Sequence, residues 1–338
     1  MRNITLTIAM LAISFQASFG QDVIEYLTPI SDEYKKVSKA TWDYTRASSH
    51  SSSFRKIESK RKKLLKITKS AAATVKAMNG FNGNTAYRDS TVSYLNISYN
   101  VINDDYAKLM DLEEVKEQSY DGMEAYMMAE QIANDKLDSA NAVVNREQVR
   151  FCKENNVTLQ EDNSELSKKM QKAGEVYKYY NEIYLIFFKA NVQETYLMEA
   201  INANDVAAMG QIKNTLAQYA KEGLAKMKAI KGFKGDNSVV TITKQMLTFY
   251  QKEAENDVQM YIDQNLRTEK FQKTVKAMEK KKNRTQKDVD EYNAEVNAHN
   301  KANNEYNKTN EKLNTKRTAL INSWNKKTKG FIDKHVPK

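Results

Sequence analysis

The side chains able to do chemistry are few and scattered. His50, His299, His335 and the lone Cys152 stand far apart in a chain of 338 residues. A single cysteine allows neither an intrachain disulfide nor a thiolate zinc cage, and three dispersed histidines make no histidine-rich metal site. A di-iron carboxylate centre in a helical bundle needs Glu-x-x-His on two helices and two further inward glutamates. No Glu-x-x-His occurs; Glu295 and His299 are spaced i, i+4, but the residues 152 positions earlier are Val143 and Glu147, so no symmetric site follows. HExxH and GxSxG are absent. A Ser-His-Asp arrangement is permitted by residue count, but His50 stands beside Ser51-Ser52-Ser53 and His335 in the tail, where both are expected to be exposed. Asp104-Asp105 and Glu113-Glu114 are adjacent pairs that diverge on a helix. The expectation is a non-enzymatic protein with no metal and no cofactor that mediates protein or acidic-glycan interactions, the alternative being a helical ligand-binding or membrane-active protein.

Charge says more than catalytic motifs do. Fifty-three basic residues against 43 acidic ones leave a formal net charge of +10. Residues 54–69 carry eight basic groups and one acid, and residues 267–287 carry nine and two. Residues 104–138 reverse the sign, with eleven acids and three bases. These runs read first as solvated helical faces, and their opposite signs also suit pairing within or between chains. Basic helices also attract anions. Lys60, Arg61, Lys62 and Lys63, with Lys280, Lys281, Lys282 and Arg284, are the candidate anion-binding surface. Acidic polysaccharide, anionic lipid head groups and an envelope protein are the partners this surface suits. Nucleic acid is not expected, because no ribonucleoprotein signature, zinc finger or helix-turn-helix is found.

The chain's beginning suggests where it works. Arg2 precedes the uncharged stretch Ile4–Phe15, and Ala17-Ser18-Phe19-Gly20 places small residues at −3 and −1 before Gln21. This is the pattern of a cleaved signal peptide over residues 1–20, with no cysteine positioned for a lipid anchor. No later stretch reaches membrane length; Ile183–Phe188 is only six residues and reads as the most buried turn of a long helix. The expected location is periplasm, cell surface or extracellular space. Cys152 reads as a small buried apolar residue.

The elements that position these groups are helices. Two prolines and ten glycines are too few for a loop-rich β protein, and none of the prolines lies between Pro29 and Pro337. KAMNGFNG at 76–83 returns as KAIKGFKG at 228–235, an offset of 152. The same offset pairs Leu64 with Leu216, Leu95 with Leu247, Asp105 with Asp257, and Asn141-Ala142 with Asn293-Ala294; upstream it slips to 150, pairing Tyr34 with Tyr184 and Lys189 with Lys39. The expectation is an all-α fold of two tandem antiparallel helical-bundle repeats of about 150 residues. They would cover 21–179 and 180–338, share a long central helix and form an elongated particle. Side-by-side packing of the two repeats is equally compatible with the sequence.

Within each repeat, Thr28-Pro29 reads as N-cap and first helical position of a helix over 30–48. Ser53 and Asp205 read as equivalent N-caps, and Gly80 and Gly232 as positive-φ residues ending the second helix. Asn84 and Asp236 then cap the third, over 86–118 in the first repeat. A fourth spans 121–155 on the stripe Met123, Met127, Leu137, Ala140, Val144 and Phe151. Asp162-Asn163-Ser164-Glu165 is a capping box opening a helix to about 203. Asn307–Asn310 reads as a break before a final helix carrying Leu313, Leu320, Trp324 and Phe331. Nine asparagines in 283–316 suggest either a solvated hairpin or amide bonding across helices. Tyr177, Tyr179, Tyr180, Tyr184 and Tyr196 crowd the central helix and read as core filling with hydroxyls at the rim.

The tail NKANNEYNKTNEKLNTKRTALINSWNKKTKGFIDKHVPK, the leader and the GF-x-G corners resemble an uncharacterised family of exported helical surface proteins of Gram-negative bacteria. Trp324-Asn325 and His335-Val336-Pro337 carry most of that resemblance. It implies an envelope or surface location and assigns no activity and no site residues.

Overall fold

The structure, a computed structural model, describes residues 15–16, 21–106, 119–159 and 163–338. The protein is all-α. Its helices are α1 (Gln21–His50), α2 (Phe54–Lys76), α3 (Ala86–Asn100), α4 (Tyr120–Glu154), α5 (Glu165–Ala203), α6 (Val206–Ala229), α7 (Ser238–Lys252), α8 (Val258–Lys280) and α9 (Gln286–His335). Among the described residues, strand pairing is confined to Phe15–Gln16 against Thr158–Leu159 and two isolated bridges. No described helix is long and apolar enough to cross a membrane. The signal-peptide reading falls almost wholly outside the described residues, as does the expected third helix beyond Tyr106.

Two compact units divide the described chain. The first holds the residues up to Tyr180 together with Gly330–Lys338; the second is Asn181–Lys329. In the first, α1, α2, α3 and α4 pack in succession around Leu27, Val37, Tyr44, Leu64, Leu95 and Leu137. In the second, α6, α7 and α8 pack around Leu216, Val239, Met246 and Tyr250, with Ile183 and Leu197 of α5 and Trp324 of α9 also buried. Phe187 stacks on Trp324 with ring centroids 3.9 Å apart. Burial at this density, rather than helix propensity, holds such helices in place.

The glycine corners differ in detail from the expectation. The positive φ values fall on Asn82 and Gly83 (49° and 80°) and on Lys234 and Gly235 (48° and 87°), not on Gly80 or Gly232. Phe81 and Asn84 exchange backbone hydrogen bonds of 2.9 Å, and Phe233 and Asp236 do the same at 3.0 and 2.9 Å. Each corner is therefore a two-residue turn with φ > 0 at both central residues, as in the tightest β-hairpins. Gly80 is required for a different reason: a Cβ there would lie 2.9 Å from the Asn84 carbonyl oxygen. Ser53 and Asp205 cap their helices as expected, whereas the N-caps of α3 and α7 are Thr85 and Asn237 rather than Asn84 and Asp236. Ser53 accepts from the Lys56 N–H at 3.3 Å, and Asp205 from the Ala208 N–H at 2.9 Å. Asn84 and Asp236 accept from Ala86 and Ser238 at 3.0 and 2.9 Å, one residue ahead of the N-cap position. Ser164 accepts from the Ser167 N–H at 3.2 Å and opens α5, while Asp162 of the expected capping box lies outside the described residues.

A further feature recurs at the same spacing. α3 and α7 each run on into one turn of π-helix, Val101–Asp105 and Glu253–Asp257. The correspondence ends beyond these turns. α4 runs unbroken through 129–133, whereas residues 281–285, 152 positions on, form the turn between α8 and α9.

In α1, α9 and α4 the structure departs from the sequence reading. α1 begins at Gln21, so Pro29 lies inside it rather than at its first turn. Val23, Leu27, Ile30 and Tyr34 are all buried, and this stripe carries the helix through the proline despite the lost backbone bond. α9 is continuous over 50 residues, with no break at Asn307–Asn310. Asparagine is a weak helix former but not a breaker, and Asn310 accepts from the Tyr261 hydroxyl at 3.0 Å and from Asn314 at 3.1 Å. In α4, Met127 is only half-buried and Tyr126 takes the core position. The asparagine-rich stretch combines both anticipated arrangements. It pairs with α8 as a largely exposed hairpin, and it is joined to α8 by Gln264–Asn303 at 3.3 Å and by Phe271 stacked on His299 at 4.1 Å.

Candidate functional site

The histidines do not assemble a nucleophilic site. His50, the last residue of α1, is largely buried rather than exposed. Its Nδ1 lies 3.1 Å from Asp333 and its Nε2 3.3 Å from the Pro337 carbonyl oxygen. Both ring nitrogens face oxygen acceptors, so the ring ties down the C-terminal tail. The neighbouring Ser49 hydroxyl is committed elsewhere, accepting from Tyr177 at 2.6 Å and donating to the Thr45 carbonyl at 2.7 Å. His335 is likewise buried, 4.7 Å from the Phe331 ring. Cys152 is buried, and burial pushes its thiol up to about 11. No group of three His, Cys, Asp or Glu among the described residues could hold a metal ion.

The first basic cluster is largely engaged by carboxylates. Arg61 grips Glu58 with two bonds of 2.9 Å and donates to the Ile102 carbonyl at 2.9 Å. Lys60 reaches Asp43 at 3.3 Å and Lys62 lies 4.0 Å from Glu58, while Lys63 is exposed. In the second cluster Lys281 pairs with Asp288 at 2.6 Å; Lys280, Lys282 and Arg284 are exposed around the α8–α9 turn.

A groove with a different set of cations lies on α7. It encloses about 490 Å³ and is walled by Val240, Phe249 and Leu320, with Lys244, Lys252 and Lys316 among its lining residues. Lys244 and Lys252 form no ion pair among the described residues. The Lys316 ammonium sits 5.4 Å from the centre of the buried Phe249 ring, and the Arg317 guanidinium 5.8 Å from it. A groove of about 480 Å³ occupies the equivalent face of α3. Every α3 residue lining it, from Arg88 to Asn100, has its counterpart 152 positions on among the α7 residues lining the other. The chemistry differs: Val92, Ile97 and Asn100 stand where Lys244, Phe249 and Lys252 stand in the second unit.

Behind Phe249 lies a buried ion cluster. Arg317 of α9 pairs with Glu194 of α5 and with Glu253, the first residue of the π turn, and donates to Asn314. All three charged residues are buried, Glu253 completely. Tyr250 donates to Asn191 at 2.7 Å beside them. One guanidinium faces two carboxylates, and burial pushes Glu253 up to about 7 despite the attraction of Arg317. Burial also raises Glu194, with Arg317 opposing. One shared proton would balance the cluster's charge, the usual solution for buried carboxylates that outnumber their cations.

Sequence reading missed this cluster because no local motif marks it. The signal available was the offset itself. Position 253 matches Val101 and, with the slip to 150, position 194 matches Tyr44, both buried in the first unit. A glutamate aligned with a core valine is an anomaly visible in sequence.

Comparison with protein-family models, curated proteins and solved structures finds no match.

Proposed function

We propose that the protein is an exported, non-enzymatic helical protein of the cell envelope or surface that binds linear acidic glycans through the α7 groove. The observation that carries this reading is the groove itself. Lys244 and Lys252 are eight residues apart, about 12 Å along the helix, so they can meet successive anionic groups of one extended chain. Leu320, half-buried, offers an apolar wall to sugar faces, and Lys316 supplies a third cation. Screened, multi-point attraction of this kind is salt-dependent. The leader reading supports export, and the resemblance of the tail to exported surface proteins agrees with it.

Common ancestry of the two units by tandem copying belongs to the same reading. Its support is the recurrence at 152 residues of the cap, the corner, the π turn and the groove face. The groove then marks where the second copy acquired its own chemistry.

The test is retention of the chain expressed without residues 1–20 on immobilised polyuronate and on a neutral glucan, across a salt gradient. Wild-type protein is expected on the polyuronate alone, eluting with salt. Lys244→Glu combined with Lys252→Glu and Lys316→Glu should weaken binding at least about tenfold. Lys60→Glu with Lys63→Glu should change it little. Equal retention of the groove variant and the wild type overturns the assignment. Export is read separately: the mature chain secreted by a Gram-negative host should begin at Gln21 by mass spectrometry.

A further inference from the structure

α4 is amphipathic twice over. Its inner face buries Met123, Tyr126, Ala133, Leu137, Ala140, Val144 and Phe151. Its outer face has a regular pattern of its own: Ala125, Met128, Ile132, Asp135, Ser139, Ala142, Arg146 and Val149 follow one another at alternating steps of three and four. That is the spacing of a coiled-coil seam, and every one of these residues is exposed. Met128, Ile132 and Val149 are exposed by 62, 50 and 55 per cent, and Val143 flanks the seam at 43 per cent. Large apolar side chains repeated along one helical face point to a partner helix.

We infer that this face is the seam of an antiparallel two-helix contact between two copies of the chain. The argument is self-complementarity. With the twofold axis between positions 140 and 141, Ile132 of one copy meets Val149 of the other, and Asp135 meets Arg146. Ser139 meets Ala142 at the centre, where small residues permit close approach. Symmetry makes each pairing twice, as an isologous interface requires. Other arrangements lose these matches. A parallel pair stacks Asp135 on Asp135 and Arg146 on Arg146. Sliding the antiparallel pair by one heptad sets Arg146 against Met128 or Ala142; in the second case Asp135 meets Lys153, but Ile132 then falls opposite Asn156, beyond the end of α4. An opposite-charge pair within a seam commonly selects register and orientation in this way, at some expense of affinity; at the ends of the contact Met128 lies opposite Lys153.

The inference is tested by sedimentation of the chain lacking residues 1–20 over a range of concentrations, with circular dichroism to check that helix content is retained. The wild type is expected to dimerise reversibly. Asp135→Arg alone and Arg146→Asp alone place like charges together and should each raise the dimer dissociation constant at least about tenfold. Mixing the two variants should restore the dimer, because arginines then face aspartates at all four seam positions; a folding defect would not be rescued by mixing. Independently, Ser139→Cys mixed with Ala142→Cys should form an interchain disulfide on mild oxidation, whereas Met128→Cys mixed with Ala142→Cys should not. A wild type that stays monomeric at all concentrations overturns the inference. So does a dimer indifferent to the charge reversals, or a mixture that fails to recover.

Discussion

Glu253 is the residue whose titration should be visible in the stability of the fold. Its folded-state value, pushed by burial from 4.5 to about 7, means that the native protein holds a proton which the unfolded chain releases. The stabilisation tied to that proton is fully present below pH 4.5 and is lost as the pH rises through about 7. The loss is on the order of 3 kcal/mol at 1.4 kcal/mol per pKa unit. Glu253→Gln leaves Arg317 a one-to-one partner in Glu194. Thermal unfolding at pH 5 and pH 8 should show the wild type losing stability relative to this variant as the pH rises; parallel behaviour of the two would refute the account. Arg317→Met leaves two buried carboxylates without a cation and should cost about 3–5 kcal/mol at neutral pH, measured by urea unfolding. At the corner, Gly83 has φ +80° and no neighbour within reach of a Cβ, whereas a Cβ on Gly80 would press on backbone. Gly83→Ala should cost about 1 kcal/mol and Gly80→Ala more, in the same measurement.

The corners, caps and π turns belong to the scale of elements, and they test the relation between the units. If residues 78–86 and 230–238 are equivalent corners, replacing one by the other should leave the melting temperature within a few degrees; a loss of cooperative unfolding would argue against equivalence. The α8–α9 hairpin makes a second prediction at this scale. Beyond Tyr261 its seam consists largely of half-exposed residues, and its cross-links include amide and stacking contacts such as Gln264–Asn303 and Phe271–His299. Few buried apolar contacts mean a low opening energy. Amides of 266–304 should exchange with deuterium well before those of α6 and α7; similar protection across both would overturn this. Much at this scale was legible in sequence. Ser53 and Asp205 announced helix starts because a short polar side chain before an apolar stripe has one obvious use. Pro29 misled for a complementary reason: a rule about local backbone bonding was overridden by four buried side chains on one face. Asn307–Asn310 misled in the same way, since one contact at this point of α9, the Tyr261 hydroxyl on Asn310, comes from α8, far away in sequence.

For the whole molecule, helical composition, the absence of proline between Pro29 and Pro337, the net charge of +10 and the 152-residue recurrence are properties of the chain alone. They determined an all-α protein, because periodic apolar positions without breakers have no other compact solution, and they located both corners. The ion-paired state of Arg61 and Lys60, the groove of Lys244, Lys252 and Lys316, and the meeting of Glu194, Glu253 and Arg317 were decided only by tertiary structure. Charge runs in sequence count residues without regard to the face they occupy or to carboxylates brought alongside from other helices. The three members of the buried cluster are separated by 59 and 64 positions, and only the packing of α5, the π turn and α9 makes them neighbours.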